Sequence, residues 1–115
     1  MAIDVLNTLE IIEALENYIF ERRPPEEIRH KLDLGYKLEG QDVIVFEIRP
    51  VWNKPNEKME SPVAKTTFVK SKNHWKIFWM RSDLKWHAYQ PTPNVPNIKD
   101  FIRIIKEDKY HCFWG

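Results

Sequence analysis

The stretch VAKTTFVKSKNHWKIFWMRSDLKWHAYQ, residues 63–90 of a chain of 115 residues, decides the fold. Polar and apolar residues alternate along three short runs that are rich in β-branched and aromatic side chains: 63–71, 74–81 and 84–90. Lys72-Asn73 and Ser82-Asp83 separate the runs and are suited to tight turns. The stretch therefore predicts three antiparallel strands joined by two hairpins.

Two more alternating runs precede this stretch, 33–39 and 42–52, with Gly40-Gln41 at the turn between them. They extend the predicted antiparallel sheet to five strands. The segment from Asn53 to Ser61 is predicted to be a loop. As the longest connection inside the sheet, this loop is expected to be its most mobile part.

Helical periodicity marks both ends of the chain. The first helix is predicted from Val5 to Arg22, with Asp4 as its N-cap, and its apolar stripe recurs at three- and four-residue steps: Val5, Leu9, Ile12, Leu15 and Ile19. The second helix is predicted from Ile98 to Glu107, where Asn97 and Asp100 resemble a capping box.

Together these elements predict the α+β fold class. We expect a single domain over residues 1–115, in which a five-stranded antiparallel meander forms a single layer and the N-terminal and C-terminal helices pack on one face. The apolar content of 43%, with 13% aromatic residues, is sufficient for a compact core.

Composition also predicts where the protein acts. No apolar run approaches the roughly 20 residues that cross a bilayer, so no membrane association is expected. The N-terminus carries Asp4 and no basic residue, which is unlike a secretory signal peptide. Cys112 is the only cysteine and can form no internal disulfide. A cytoplasmic location is therefore the expectation.

The net charge of +1 conceals an uneven distribution. Residues 1–60 carry 8 basic and 13 acidic side chains, whereas residues 61–115 carry 10 and 4. Within residues 61–90 Asp83 is the only acid, and six basic residues are interleaved with aromatic ones: Lys65, Lys70, Lys72, Lys76, Arg81 and Lys85. Cations and exposed rings are the groups that bind single-stranded nucleic acids, so this segment favours a surface for an anionic ligand.

The turns predict which side chains share a face of the sheet. A two-residue turn at Ser82-Asp83 places Trp79 opposite Trp86 on the face that the helices cover. A two-residue or four-residue turn at Lys72-Asn73 adds Phe68 to the same face. Alternation in the second strand adds four more residues: Ile44, Phe46, Ile48 and Trp52. The other face is then mixed in character and carries Val43, Val45, Glu47, Arg49, Lys65, Thr67, Val69, Lys76, Phe78, Met80, Lys85, His87 and Tyr89.

This mixed face is the candidate site, because contiguous exposed apolar residues mark ligand or partner contacts. The main hypothesis is a non-catalytic binding module for an anionic ligand or nucleic acid. The residues expected to bind it are Arg49, Lys65, Phe78, Lys85, His87 and Tyr89. The alternative is a purely structural role, in which the charged residues of this face form ordinary cross-strand pairs.

Two alternatives use the same face. A homodimer or protein-interaction domain would bury its apolar residues: Val45, Val69, Phe78 and Met80. A small hydrolase or nuclease would use Glu47 and His87 as an acid–base pair. Three candidates could cover the mixed face: the C-terminal segment from Tyr110 to Trp114, a second copy of the chain, and a ligand.

Neither a metal nor a cofactor is expected. The four histidines lack zinc-site spacings, both among themselves and with Cys112: His30, His74, His87 and His111. Asp33 with Glu47 is only a poor match to metal-dependent nucleases. Three glycines leave no room for a P-loop or a dinucleotide-binding motif.

Several strings with fixed spacings carry a resemblance to a known family. They are Glu47-Ile48-Arg49-Pro50-x-Trp52, Pro62-x-Ala64-Lys65, Trp75-x(3)-Trp79-x-Arg81-x-Asp83-x-Lys85-Trp86-His87-x-Tyr89 and Asp108-x(4)-Phe113-Trp114-Gly115. Over nearly its whole length the chain resembles the small bacterial family called domain of unknown function 3024. The resemblance implies a stand-alone cytoplasmic bacterial domain, and it brings no activity, cofactor or catalytic residue.

Overall fold

The computed structural model of the protein describes residues 5–114, with side chains described from residue 8 onward. Helix α1 spans Val5–Arg22 and helix α2 spans Ile98–Glu107. Between them the described chain forms six strands: β1 (Asp33–Glu39), β2 (Asp42–Val51), β3 (Lys54–Val69), β4 (His74–Met80), β5 (Trp86–Ala88) and β6 (Asn94–Val95). The predicted bounds of both helices and of β1 are confirmed, whereas the predicted N-cap Asp4 lies outside the described residues.

The strands form one antiparallel sheet in the order β1-β2-β3-β4-β5, which confirms the α+β meander. Strand β6 pairs with β4 on the same edge as β5, and Ile77 N donates a hydrogen bond to Pro93 O at 3.0 Å. The sequence did not indicate β6, because this two-residue strand follows a proline-rich link. Proline removes a ladder donor, and it is therefore tolerated mainly at sheet edges such as this one.

Both helices pack on one face of the sheet, and the hydrophobic core lies between the two layers. Helix α2 buries Ile98, Phe101, Ile104 and Ile105. The Asn97 side chain caps it by accepting from Asp100 N at 3.0 Å. Among the described residues, neither helix is long and apolar enough to cross a membrane.

The predicted stripe of α1 is partly wrong. Leu9 is 59% exposed, whereas Ile11 and Tyr18 are buried beside Leu15 and Ile19. The predicted and the observed stripe both fit the helical period, because apolar residues occur at adjacent positions such as Ile11 and Ile12. Packing against the sheet selects the face that contains Tyr18.

The predicted alternation of β2 is wrong by one residue. Val43 pairs with Thr66 and Val45 pairs with Ala64, and all four face the helices and are buried. Of the four residues predicted to face the helices, Ile44, Phe46 and Ile48 face away from them, and Trp52 is exposed in the turn that follows β2. Because apolar residues occupy both the odd and the even positions of this run, its periodicity could not select the face of the sheet that packs under the helices. We call the sheet face away from the helices the outer face.

The turn between β4 and β5 contains one residue more than predicted. Met80 pairs with Trp86, and Arg81 N donates to Lys85 O at 3.2 Å around Leu84, whose φ is 62°. This is a three-residue hairpin loop with a left-handed residue before the next strand. One added residue in the loop moves every later side chain of the strand to the opposite face of the sheet. Trp86 therefore lies on the outer face, and the predicted pairing of Trp86 with Trp79 is wrong.

The predicted loop at residues 53–61 is also wrong, because most of it belongs to β3 and pairs with β2. Strand β1 pairs with β2 only as far as Ile48, and β4 pairs with β3 only as far as Ala64. Beyond these points β2 and β3 continue alone as a two-stranded ribbon, residues 49–60, with Trp52-Asn53 as its turn. Prolines interrupted the alternation in the sequence, yet each ribbon strand has a free side where proline removes no ladder hydrogen bond.

Candidate functional site

The outer face carries a cation over two aromatic rings. The Lys65 ammonium lies 4.8 Å from the centroid of the Phe78 ring and 5.2 Å from the centroid of the Trp86 ring. Lys65 and Phe78 are direct cross-strand partners on β3 and β4, and the three-residue loop brings Trp86 to the same face. A cation at these distances is attracted by the ring electrons. We call Lys65, Phe78 and Trp86 the outer cluster.

The basic residues around the outer cluster lack carboxylate partners. Among the described side chains, no salt bridge involves the six basic residues of the segment 61–90: Lys65, Lys70, Lys72, Lys76, Arg81 and Lys85. The acid of that segment, Asp83, accepts a hydrogen bond from His87 at 2.8 Å. Lys76 lies on the outer face as the cross-strand partner of Thr67. Asp42, the partner of Thr67 on β2, accepts from the Thr67 hydroxyl at 2.6 Å. Lys65 and Lys76 therefore outnumber the acid beside them on this part of the outer face.

The structure divides the predicted mixed face between the two sides of the sheet. Lys65 and Phe78 lie together on the outer face, whereas Tyr89 is only 3% exposed and its ring lies 5.1 Å from that of Phe113 in the core. Burial raises the pKa of the Tyr89 hydroxyl. His87 pairs with Trp79 on the helix-covered side. The register prediction for His87 and Tyr89 is wrong because of the longer turn.

Asp83 organises this turn. Its Oδ2 is bonded to His87 Nε2 at 2.8 Å, and its Oδ1 accepts from Lys85 N at 3.0 Å. The His87 bond is the main cause that lowers the pKa of the Asp83 carboxyl. Lys85 is exposed and lies between the three-residue loop and β5.

Glu47 and Arg49 lie on the helix-covered side of β2, away from the outer cluster. Arg49 Nη2 donates to Glu47 Oε2 at 3.2 Å, and this pair contradicts their predicted place beside Lys65. Glu47 lines an open cavity of about 460 Å³ together with Arg22, Leu34 and Trp114, among others.

The hydrolase alternative required Glu47 and His87 to share a site. Strands β3 and β4 lie between β2, which holds Glu47, and β5, which holds His87. Three interstrand steps of about 4.8 Å separate the two strands, and each residue has another partner. The structure does not bring this pair together. The predicted dimer set is likewise divided, because Val45 is fully buried under the helices while Phe78 is on the outer face.

The C-terminal segment, residues 108–114, packs on the helix-covered side. Asp108 is 9% exposed, and its carboxylate accepts from Phe113 N at 3.0 Å and from Trp114 N at 2.9 Å. Trp114 Nε1 donates to Tyr18 OH at 3.1 Å, and the Arg22 guanidinium lies 4.1 Å from the Trp114 ring centroid. We call this arrangement the Asp108 clasp. Because the segment is held there, it leaves the outer face open.

An ion pair joins the end of α1 to the start of β1. Arg23 Nε and Nη2 each donate to an Asp33 carboxylate oxygen at 2.7 Å. The Arg23 hydrogen bond is the main cause that lowers the pKa of Asp33. A carboxyl with a lowered pKa in the folded state stabilises the fold above its unfolded pKa of about 3.9, and this contribution is lost as the pH falls through the folded pKa.

We therefore expect wild-type protein to lose more stability than Arg23→Ala between about pH 4 and pH 2, because only the wild type has this pair to protonate. Urea unfolding midpoints across that range measure the difference. Lys106→Ala, which removes an exposed ion pair with Glu21, is the control and should follow the wild type. Parallel profiles for wild type and Arg23→Ala would contradict the assignment.

Comparison with known proteins adds the family. A family model described as "Domain of unknown function (DUF3024)" matches residues 4–115. Neither the search of curated proteins nor the search of solved structures gave a match. The match spans essentially the whole chain, including the outer cluster and the Asp108 clasp. The chain therefore belongs to the family of domain of unknown function 3024.

Proposed function

We propose that the protein is a binding module whose outer cluster binds an anionic ligand that carries a planar ring. The observation that supports the proposal most is the Lys65 ammonium above the Phe78 and Trp86 rings without a carboxylate partner among the described side chains. Such an ammonium can bind a phosphate or carboxylate group, and the neighbouring rings offer stacking surfaces.

The surrounding charge supports the same ligand class. Lys76 is exposed on the same face as Lys65, whereas many acidic side chains lie on α1 on the other side of the sheet. An anion is therefore attracted toward the outer face and away from α1. The protein has this polarity despite its net charge of +1.

Lys65→Ala is expected to weaken binding of adenosine triphosphate and of single-stranded oligothymidylate about tenfold at low salt, since it removes a charged contact worth about 1.4 kcal/mol. For the oligonucleotide, the slope of log K against log salt should become smaller by about 0.7. Fluorescence anisotropy with labelled ligands at several salt concentrations measures both quantities.

Lys99→Ala is the matched control, because Lys99 is an exposed lysine on α2 and no described acid pairs with it. It should bind both ligands like the wild type. An equal loss in the two variants would point to net charge alone and would overturn the proposed site. The absence of any binding at low salt would overturn the proposed function.

A further inference from the structure

The ribbon presents a tryptophan to solvent at its tip. Trp52 is 92% exposed, more than any other large hydrophobic residue described. All residues from 52 to 60 are exposed, so this part of the ribbon contributes nothing to the core. A turn normally holds small polar residues, and an indole there gains no packing in the folded protein. Its large apolar ring is therefore available to a partner.

A row of charge connects the ribbon to the outer cluster. Register places Lys58, Glu60 and Lys65 on the outer side of β3, one after another toward the sheet. Glu60 is the acid in this row, and the Lys37 ammonium lies 3.3 Å from its carboxylate and 3.5 Å from that of Glu39. On β3 the row from the outer cluster toward Trp52 therefore holds two lysines and one acid.

The distance between the two aromatic sites excludes a small ligand from contacting both. Eleven residue steps of β3 separate Lys54, next to the turn, from Lys65. At about 3.3 Å per residue they cover roughly 36 Å. The ligand that fits is a polymer with a planar ring and a negative charge in each unit. A stacked nucleic-acid strand advances about 3.4 Å per nucleotide, so about ten nucleotides would cover the distance.

We propose that Trp52 is a second base-stacking site, and that the ligand of the outer cluster is single-stranded nucleic acid long enough to reach the ribbon. This inference rests on the proposed function of the outer cluster. The cation and rings of the cluster hold one part of the strand, and the Trp52 indole stacks on a base beyond them. Lys58, whose ammonium donates to His30 O at 2.5 Å in the free protein, adds positive charge near the phosphates between the two sites.

The experiment compares oligothymidylates of about four and about twenty nucleotides, of which only the longer can reach both sites. Trp52→Ala should weaken binding of the longer strand at least about fivefold and leave binding of the shorter strand unchanged. Trp52→Phe keeps a stacking ring and should restore most of the affinity. Phe20→Ala is the matched control, because Phe20 is an aromatic residue of α1 that is 86% exposed.

The outcomes separate the two proposals. Loss of long-strand binding in Trp52→Ala with rescue by Trp52→Phe supports the ribbon site. Unchanged long-strand binding in Trp52→Ala, while Lys65→Ala still weakens it, overturns the ribbon site and leaves the outer cluster intact. Binding of adenosine triphosphate without binding of either strand also overturns it. A change in sedimentation mass on Trp52→Ala, with strand binding unaffected, would assign the tip to a second copy of the chain instead.

Discussion

Phe101→Ala is expected to lower the free energy of unfolding by about 3–5 kcal/mol. The Phe101 side chain is 0% exposed and belongs to the core that α2 forms with α1 and the sheet. Removing the ring loses the free energy gained by its transfer from water into the core. It also leaves a cavity between two layers that can only partly close. Urea unfolding followed by far-ultraviolet circular dichroism measures the change.

Phe20→Ala is the control for this prediction, since Phe20 is 86% exposed on α1. It removes the same side chain and should change the free energy of unfolding by less than about 0.5 kcal/mol. Similar losses for Phe101→Ala and Phe20→Ala would contradict the packing of α2 described here.

Asp108→Ala is expected to lower the free energy of unfolding by about 3 kcal/mol. The substitution removes the acceptor for two amide donors, Phe113 N, which is buried, and Trp114 N, which is half-buried, and it places alanine at a φ of 43°. That left-handed conformation disfavours alanine and is more accessible to asparagine. Urea unfolding measures the loss, and hydrogen exchange at the Phe113 and Trp114 amides should accelerate.

Asp108→Asn separates the two causes. It keeps the backbone preference and one carbonyl acceptor, so its loss should lie between that of the wild type and that of Asp108→Ala. Equal stability of Asp108→Ala and the wild type, with unchanged exchange at both amides, would show that the Asp108 clasp does not hold the segment.

Local signals were sufficient to predict most elements of the fold. Asn97 marks the start of α2, Pro24 prevents α1 from continuing, and Gly40 with a φ of 59° occupies the turn between β1 and β2. Each of these acts through its own backbone geometry, so the sequence alone carries the information. The α+β class and the meander follow from the elements and their short connections.

The candidate site was predicted only in part, because face assignment depends on single-residue register. Lys65 and Phe78 were placed correctly, since the turn of β3 and β4 preserves parity. Trp86 was missed because the loop before it has one residue more than the shortest hairpin. Arg49 was misplaced because β2 is apolar on both parities, and only packing under the helices selects its buried side.

The Asp108 clasp also bears on the order in which the protein assembles. The hydrogen bond from Trp114 to Tyr18 joins residues 96 positions apart in the chain. During synthesis α1 emerges before the sheet and α2, yet its inner face lacks this partner until residue 114 has left the ribosome. Contacts of such sequence separation form late because closing the intervening chain costs entropy. Helix α1 is made before the sheet, yet it is therefore expected to be among the last parts of the domain fixed in place.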